Sequence, residues 1–449
     1  MSTFAPVASH PTFREALRFW LKLGFISFGG PAGQIAIMQQ ELVERKKWIG
    51  QERFLHALNF CMLLPGPEAQ QLAIYCGWLL HRTWGGIVAG VFFVLPSALL
   101  LWGLSVVYVF YGHIGWLEAV FHGLKPAVVA IVVAAVLRIG QKSLRNAPLW
   151  AIAIVAFALI FFLKTPFPLI VVGALLMGWC GAQLAPEVLA QSPVGHGVRA
   201  GPPPAGLPER DTERAVIDDA AVQCGVLPTG RRAVRVVSIC VLLWFVPVVV
   251  VGALLGWHSV WVNQALFFSK TAMVTFGGAY AVLPYVAQHA VEIHGWLAAP
   301  QMLDGLAFAE TTPGPLIMVL QFVGFLGGWN QPGGLSPLAS ASLGAAITTW
   351  VTFVPCFLWI FLGAPHIEQL RGNKQLAGAL SAVTASVTGV ILNLAVWFGW
   401  HVLVPGGNWA SVDVLATGLG VGAFVALHRY RVNVVAVIVA SGLIGLLAM

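Results

Sequence analysis

Charged residues are scarce in this sequence. Only 9% of its 449 residues are Asp, Glu, Lys or Arg, whereas soluble globular domains carry about 25%. Hydrophobic residues make up 58% of the chain, and no soluble core could bury so much apolar surface with so few charges outside it. The composition therefore excludes a soluble globular protein and predicts membrane spans of roughly 20 apolar residues. The apolar stretches are long and continuous, which favours helices over a β-barrel.

Motifs that are typical of enzymes and of ATP-driven pumps are missing as well. The six cysteines form no CxxC pair, so we expect apolar thiols and neither a metal site nor any cofactor. The sequence has no clustered His/Cys set and no flavin motif, so we predict that it is not an enzyme. It also lacks a GxxxxGK[ST] loop. Residues 1–12 show no basic region followed by an apolar core, so no cleaved signal peptide is expected.

One pattern occurs twice in the chain, 248 positions apart. Phe28-Gly29-Gly30 (FGG) recurs as Phe276-Gly277-Gly278, and Pro65-Gly66-Pro67 (PGP) recurs as Pro313-Gly314-Pro315. The residues that share this offset are Phe19 and Phe267, Lys22 and Lys270, Ser27 and Thr275 (both hydroxyls), Trp48 and Trp296, and the glycine pairs 85–86 and 333–334. A constant offset over so many positions is difficult to attribute to chance. It predicts two related halves.

These features divide the chain into four segments. Residues 1–184 form the first half, 185–233 a linker, 234–256 an extra connecting transmembrane helix, and 257–449 the second half. The linker includes Gly201-Pro202-Pro203-Pro204, a composition too polar and proline-rich to pack. An unpaired span between two repeats inverts the second repeat relative to the first. We therefore predict an all-α polytopic membrane protein with two inverted halves and broken or re-entrant helices at the FGG and PGP motifs.

The distribution of Lys and Arg indicates orientation, because these residues concentrate in cytoplasmic loops. It places the linker in the cytoplasm. Segment 31–53 carries four Lys or Arg residues and its equivalent 281–301 carries none, as opposite orientation predicts. In one assignment, segments 54–80 and 302–328 enter and return on one side as re-entrant hairpins. In the alternative, each FGG and PGP helix crosses fully, which gives roughly 13 spans.

The PGP motifs are candidate substrate sites because two prolines and a glycine cannot continue a helix. Broken backbone at membrane depth is tolerated only where protein or a water-filled cavity covers it. A half-helix that starts after Pro67 would direct free N–H groups towards such a cavity, which suits an anion. A packing kink without a ligand is the alternative for either motif alone. The FGG glycines could likewise serve helix packing or expose main-chain N–H groups.

Lysines in apolar stretches are candidate cationic contacts, since a charge at membrane depth is costly and functional by default. Lys22 and Lys270 each lie six residues before an FGG motif, although snorkelling to the interface would also explain them. Lys125 lies in the run Leu124 to Val128, which matches Leu380 to Val383 at an offset of 256. The predicted substrate-binding residues are Lys22, Ser27, Phe28, Gly29, Gly30, Pro65, Gly66, Pro67, Lys125, Lys270, Thr275, Phe276, Gly277, Gly278, Pro313, Gly314 and Pro315.

Four further residues are candidates for coupling transport to protons. Glu68 follows the first PGP directly, and Glu310 lies three residues before the second. A carboxylate beside an anion is repulsive unless protonated, although Glu68 could simply stabilise the first turn of its helix. Glu118 and His122 share one helical face with Lys125, and could either carry a proton or only balance its charge.

The motif set resembles one known family. Phe28-Gly29-Gly30-Pro31, Leu64-Pro65-Gly66-Pro67, Gly123-Leu124-Lys125-Pro126-Ala127-Val128, Thr275-Phe276-Gly277-Gly278 and Ala309-Glu310-Thr311-Thr312-Pro313-Gly314-Pro315 look like the chromate transporter family in its long bidomain type. The resemblance implies export of chromate from the bacterial cytoplasm and chromate resistance. It implies a multi-pass protein of the inner membrane, driven by the membrane potential or a proton gradient, with sulfate as a competitor or counter-substrate.

The expected partners follow from this resemblance and from the composition. They are chromate or a similar oxyanion and the lipid bilayer, with no nucleic acid, and a homodimer is one oligomeric state to test. Two other transport functions stay open at this point. One is uptake of sulfate or another tetrahedral oxyanion, and the other is a passive anion channel.

Overall fold

The computed structural model describes residues 10–28, 30–112, 114–184, 216–217, 230–276, 278–364, 374–406 and 408–448. Every regular element in these ranges is helical, and one isolated bridge is the only extended pairing there. Six of the described helices are long and apolar enough to cross a membrane. The predicted all-α polytopic fold is confirmed.

Two sets of helices flank a connecting helix. The first set is α1 (Phe13–Ile26), α2 (Gly30–Gln39), α3 (Gln51–Cys61), α4 (Glu68–Tyr111), α5 (Gly115–Ser143), α6 (Ala147–Leu163) and α7 (Phe167–Leu184). The connecting helix is α8 (Gly230–Leu255). The second set is α9 (Val260–Val274), α10 (Leu283–Ala287), α11 (Ala299–Thr311), α12 (Val319–Asn330), α13 (Pro337–Gly363), α14 (Lys374–Leu403), α15 (Val414–His428) and α16 (Val434–Leu447).

Several helices begin at sequence-encoded caps. Thr12 and Glu15 form a capping box at the start of α1, which satisfies free N–H groups of the first turn. The side chains of Asn146, Asp413 and Asn433 accept backbone N–H groups at the starts of α6, α15 and α16. Side chains of this type are the preferred N-caps because their oxygens replace the missing helical acceptors.

The repeat is visible in irregular backbone as well as in regular helices. The π-helical turns Gln40–Arg45 and Gln288–Ile293 occupy equivalent positions, 248 residues apart. Helix α4 has non-helical dihedral angles at His81 and Arg82, so it consists of two helices. These two parts are the counterparts of α12 and α13, which a loop separates.

The halves are interlocked. Helix α5 packs against α15 and α16 of the second half, and α14 packs against α6 and α7 of the first. Glycines permit both crossings, since a Cβ on Gly123 would lie 2.8 Å from the Gly445 Cα, and one on Gly178 would lie 2.5 Å from the Gly378 oxygen. Gly123 and Gly378 thus have equivalent roles at an offset of 255. This offset is one residue smaller than the sequence comparison of Leu124 with Leu380 predicts.

Helix α8 packs against α13 and contacts α9, both in the second half. Trp350 Nε1 donates to the Leu243 oxygen at 2.7 Å, and Trp244 Nε1 donates to Ser269 Oγ at 3.0 Å. The helix begins at Gly230, four residues before the predicted start, and Gly256 follows it with a φ of +95°. Glycine is favoured there because a left-handed residue commonly ends a helix.

Two residues of the predicted linker pack against the first half. The Val216 N–H donates to the Lys47 oxygen, and the Gly50 N–H donates to the Ile217 oxygen at 2.9 Å. Ile217 is buried. The expectation that 185–233 is too polar to pack is therefore wrong at these two residues, because a short apolar pair in the segment finds a backbone partner. Residues 185–215 and 218–229 lie outside the described ranges.

Candidate functional site

Each PGP motif breaks a helix and is held by the other half of the chain. Six residues separate the end of α3 at Cys61 from the start of α4 at Glu68, and α11 ends at Thr311 before α12 begins at Val319. The Gly66 N–H donates to the Thr275 oxygen at 2.8 Å, and the Gly314 N–H donates to the Ser27 oxygen at 2.8 Å. In each half, the carbonyl oxygen of the residue before FGG therefore accepts a hydrogen bond from the N–H of the central PGP glycine of the other half.

The hydroxyls before each FGG motif form the same hydrogen bond in both halves. Ser27 Oγ donates to the Leu23 oxygen at 2.6 Å, and Thr275 Oγ1 donates to the Thr271 oxygen at 2.6 Å. Each hydroxyl thus satisfies a carbonyl in the last turn of its helix, and both residues are fully buried. Their own carbonyl oxygens are then directed to the PGP glycines.

Both PGP glycines have a backbone conformation that L side chains rarely adopt. Gly66 and Gly314 each have a φ of +116°. A Cβ on Gly66 would lie 3.0 Å from Cys356 Sγ, and one on Gly314 would lie 2.3 Å from the Ser97 Cβ. Cys356 belongs to α13 and Ser97 to α4, so each glycine again faces the opposite half. The flanking Pro65 is half-buried, and Pro67, Pro313 and Pro315 are buried.

The FGG motifs are described in part. Gly30 and Gly278 have φ values of +66° and +99°, with open space where a Cβ would lie. Phe28 is exposed and Phe276 is half-buried. Gly29 and Gly277 lie outside the described residues. No described atom lies within 4 Å of a Cβ built on either glycine, and the part of the FGG motifs in substrate binding stays a prediction.

Two glutamines of the first half donate hydrogen bonds to the PGP backbones, and neither has a glutamine at its equivalent position in the second half. Gln34 Nε2 donates to the Gly314 oxygen at 2.6 Å, and Gln71 Nε2 donates to the Pro65 oxygen at 2.7 Å. Both side chains are fully buried. The equivalent positions 282 and 319 in the second half are valines. Sequence reasoning missed both glutamines as site residues, although buried amides in apolar helices are a usable signal.

The two carboxylates beside the PGP motifs are buried, at 4% exposure for Glu68 and 9% for Glu310. The Tyr280 hydroxyl donates to Glu310 Oε1, which joins the loop after the second FGG to the end of α11. Arg138 of α5 is close enough to interact electrostatically with Tyr280 and Glu310. Glu68 begins α4, and its carboxylate has no hydrogen bond or ion pair with any residue that the structure describes.

The predicted face of Glu118, His122 and Lys125 is divided among different partners. His122 Nε2 lies 3.0 Å from Asp413 Oδ2, and both His122 and Glu118 are exposed. Lys125 Nζ lies 3.7 Å from Asp304 Oδ1 on α11. Asp304 was not singled out from the sequence, although an acidic residue within an apolar segment is a recognisable signal.

Lys22 and Lys270 are both exposed on their helices. Neither ammonium group forms an ion pair or hydrogen bond with another residue in the described part of the chain. Lys270 acts electrostatically on His289 of the following π-helical turn. Within the described ranges, the structure shows no contact between either lysine and a PGP residue. Their role in substrate binding stays a prediction.

A cavity of about 530 Å³ lies between α4 and α13, where the two halves meet. The polar residues that line it include Gln70 and Gln321, which lie on the half-helices that follow the two PGP motifs. Their amides donate to the oxygens of Gly90 and Ala98 in α4. The rest of the lining is mostly apolar, and no charged side chain occurs among its described residues. This cavity alone does not provide the positive charge that a dianion requires.

Interlocked repeats with paired helix breaks at membrane depth are characteristic of secondary transporters. Comparison with known proteins leads to the same class. The family model for chromate transporters matches residues 14–179 and 262–446. The chain therefore belongs to the chromate transporter family, and it is a transporter and not an enzyme.

Named relatives match over most of their length. A chromate transport protein of Pseudomonas aeruginosa is 32% identical over 98% of this chain and 92% of its own. A probable chromate transport protein of Synechococcus elongatus is 27% identical over 87% and 86%, respectively. A chromate transport protein of Cupriavidus metallidurans is 28% identical over 85% and 81%. No solved structure matches the chain.

Proposed function

We propose that this protein is a secondary active transporter that exports chromate from the cytoplasm across the bacterial inner membrane. The reciprocal contacts of Gly66 with Thr275 and of Gly314 with Ser27 carry the proposal. They hold the broken backbone of each PGP motif against the other half, and the helix starts that follow the motifs supply free N–H groups of the kind that recognise an oxyanion. The choice of chromate as the substrate rests on the names of the relatives.

The membrane potential favours export of a dianion. The cytoplasm is electrically negative, and moving one charge through 100 mV is worth about 2.3 kcal/mol. A doubly charged oxyanion therefore leaves the cell downhill in potential, and its uptake would need another source of energy. Sulfate has the same charge and a similar shape, so we include it as a competitor or counter-substrate.

Chromate-loaded proteoliposomes test the function directly. With an inside-negative potential, we expect vesicles containing the wild-type protein to lose chromate much faster than protein-free vesicles. At equal amounts of reconstituted protein, Lys125→Ala should slow this loss by about tenfold or more, because charge-assisted contacts to an anion are strong. Lys164→Asn, at an exposed left-handed position after α6, is the control and should transport normally. Equal loss with and without wild-type protein would contradict the proposal, and movement of sulfate alone would favour the alternative substrate.

We further propose that the halves are inverted and that the PGP segments are re-entrant hairpins. Helices α3 and α11 contain 11 and 13 residues, fewer than the roughly 20 that a span requires. Val216 and Ile217 pair with 47–50, so a cytoplasmic linker also places segment 31–53 in the cytoplasm. The equivalent segment 281–301 then lies outside.

A pair of equivalent exposed glutamates allows a matched test of this topology. Glu44 and Glu292 are 248 residues apart and both are exposed. In a background without Cys180 and Cys224, we expect Glu292→Cys to react with a membrane-impermeant maleimide on intact cells. Glu44→Cys should react only after permeabilisation. Reaction of both cysteines from the same side would rule out the inversion.

A further inference from the structure

Lys125 and Asp304 form a loose ion pair between α5 and α11. The distance of 3.7 Å between Nζ and Oδ1 exceeds the roughly 2.7–2.9 Å of a charge-assisted hydrogen bond. Asp304 Oδ1 is buried and accepts no hydrogen bond from the described residues. The lysine side chain is 24% exposed and that of the aspartate 4%. The lysine side chain is therefore partly exposed, whereas its counter-ion is buried.

The surroundings fix the aspartate more firmly than the lysine. The Tyr108 hydroxyl donates to the second carboxylate oxygen of Asp304 at 2.9 Å. Tyr108 is itself packed edge-to-face against Phe121, Phe308 and Phe322. A tyrosine held by three rings cannot easily follow a moving partner, so Asp304 stays in place. Lys125 has a flexible side chain and only one partner in the described part of the chain.

We propose that Asp304 is the internal counter-anion of Lys125, and that the transported oxyanion displaces it from the lysine. This inference rests on the proposed chromate transport and adds a residue that the repeat does not predict. The equivalent of Asp304, 248 positions earlier, is His56. The pair therefore belongs to the asymmetric part of the pathway.

This arrangement has two consequences for the transport cycle. The empty site carries no net charge, which lowers the cost of a lysine at membrane depth. An arriving dianion must compete with a carboxylate for the same ammonium group, so binding is weaker than to a free lysine. Once the oxyanion leaves, Asp304 takes its place, which favours release. Asp304 thus positions Lys125 and sets substrate affinity without contacting the substrate itself.

Asp304→Asn tests the competition while keeping an acceptor for the Tyr108 hydroxyl. In proteoliposomes we expect KM for chromate to fall by about tenfold, equivalent to about 1.4 kcal/mol, and kcat to fall because release is slower. Glu52→Gln removes an exposed carboxylate at the start of α3, and should leave both constants unchanged. An unchanged or raised KM in Asp304→Asn would overturn the proposal.

A second comparison separates substrate binding from charge balance. Lys125→Gln leaves a buried carboxylate without its cation, so we expect a low yield of folded protein. Lys125→Gln combined with Asp304→Asn should restore the folded yield but not transport. Normal transport by this double variant would show that the pair is only structural. If the wild-type protein itself moves no chromate, the proposed function fails, and chromate binding by the purified variants still tests the competition.

Discussion

Gly314→Ala is expected to reduce the yield of folded transporter by about tenfold or more. The new side chain would have to adopt a φ of +116°, which costs on the order of 1–3 kcal/mol. Its Cβ would also lie 2.3 Å from both the Cβ and the Oγ of Ser97. Ser97 belongs to helix α4 of the first half, so relief of the clash requires a shift at the contact between the two halves. Detergent extraction with size-exclusion chromatography measures the folded yield.

Three matched variants separate the two causes. Gly278→Ala places a Cβ at a φ of +99° in open space, so it measures backbone strain alone. Gly103→Ala has neither a positive φ nor a neighbour within 4 Å, and should behave as wild type. Gly314→Ala with Ser97→Gly removes the clash and should recover part of the yield. A Gly314→Ala protein as well folded as Gly103→Ala would contradict the contact between the halves.

Replacing both buried carboxylates by their amides is expected to abolish the effect of a proton gradient on chromate export. Glu68 and Glu310 flank the two PGP motifs and are buried. A charged carboxylate there would repel a passing dianion, and protonation removes that repulsion. Because glutamine imitates the protonated acid, Glu68→Gln with Glu310→Gln should export under a membrane potential alone. We expect an imposed pH gradient to accelerate wild-type export severalfold at constant potential, and to leave the flux of the double variant unchanged.

The measurement compares chromate flux with and without the pH gradient at constant potential. Glu52→Gln changes an exposed carboxylate at the start of α3, and its flux should respond to the gradient as the wild type does. Single variants assign the coupling to one half or to both. A double variant that still responds fully would exclude these carboxylates and return attention to Glu118 and His122.

Much of the fold follows from the sequence because its signals are local. Apolar length predicts the spans, and the prolines of the PGP motifs predict where α3 and α11 end. The offset of 248 predicts equivalent elements down to the π-helical turns Gln40–Arg45 and Gln288–Ile293. These features depend on backbone chemistry within a few residues, and the structure contains each of them.

The contacts between the halves could not be derived in this way. A repeat offset shows which residues are equivalent, but does not show that Gly66 meets Thr275 rather than Ser27. The same limit applies to Asp304, which lies 179 positions after Lys125 and meets it only when α5 and α11 pack together. Helical spacing placed Lys125 on one face with two neighbours. Lys125 instead pairs with an opposite charge on another helix, because charges at membrane depth must be balanced.

The number of chromate ions bound per chain tests the central claim most directly. If broken backbone from both halves builds one shared site, equilibrium binding to the purified full-length protein should saturate at one chromate per chain. Excess sulfate should displace this chromate if the two ions share the site. Saturation at two equivalent ions per chain would show that each half carries its own site, and the absence of any saturable binding would contradict the account as a whole.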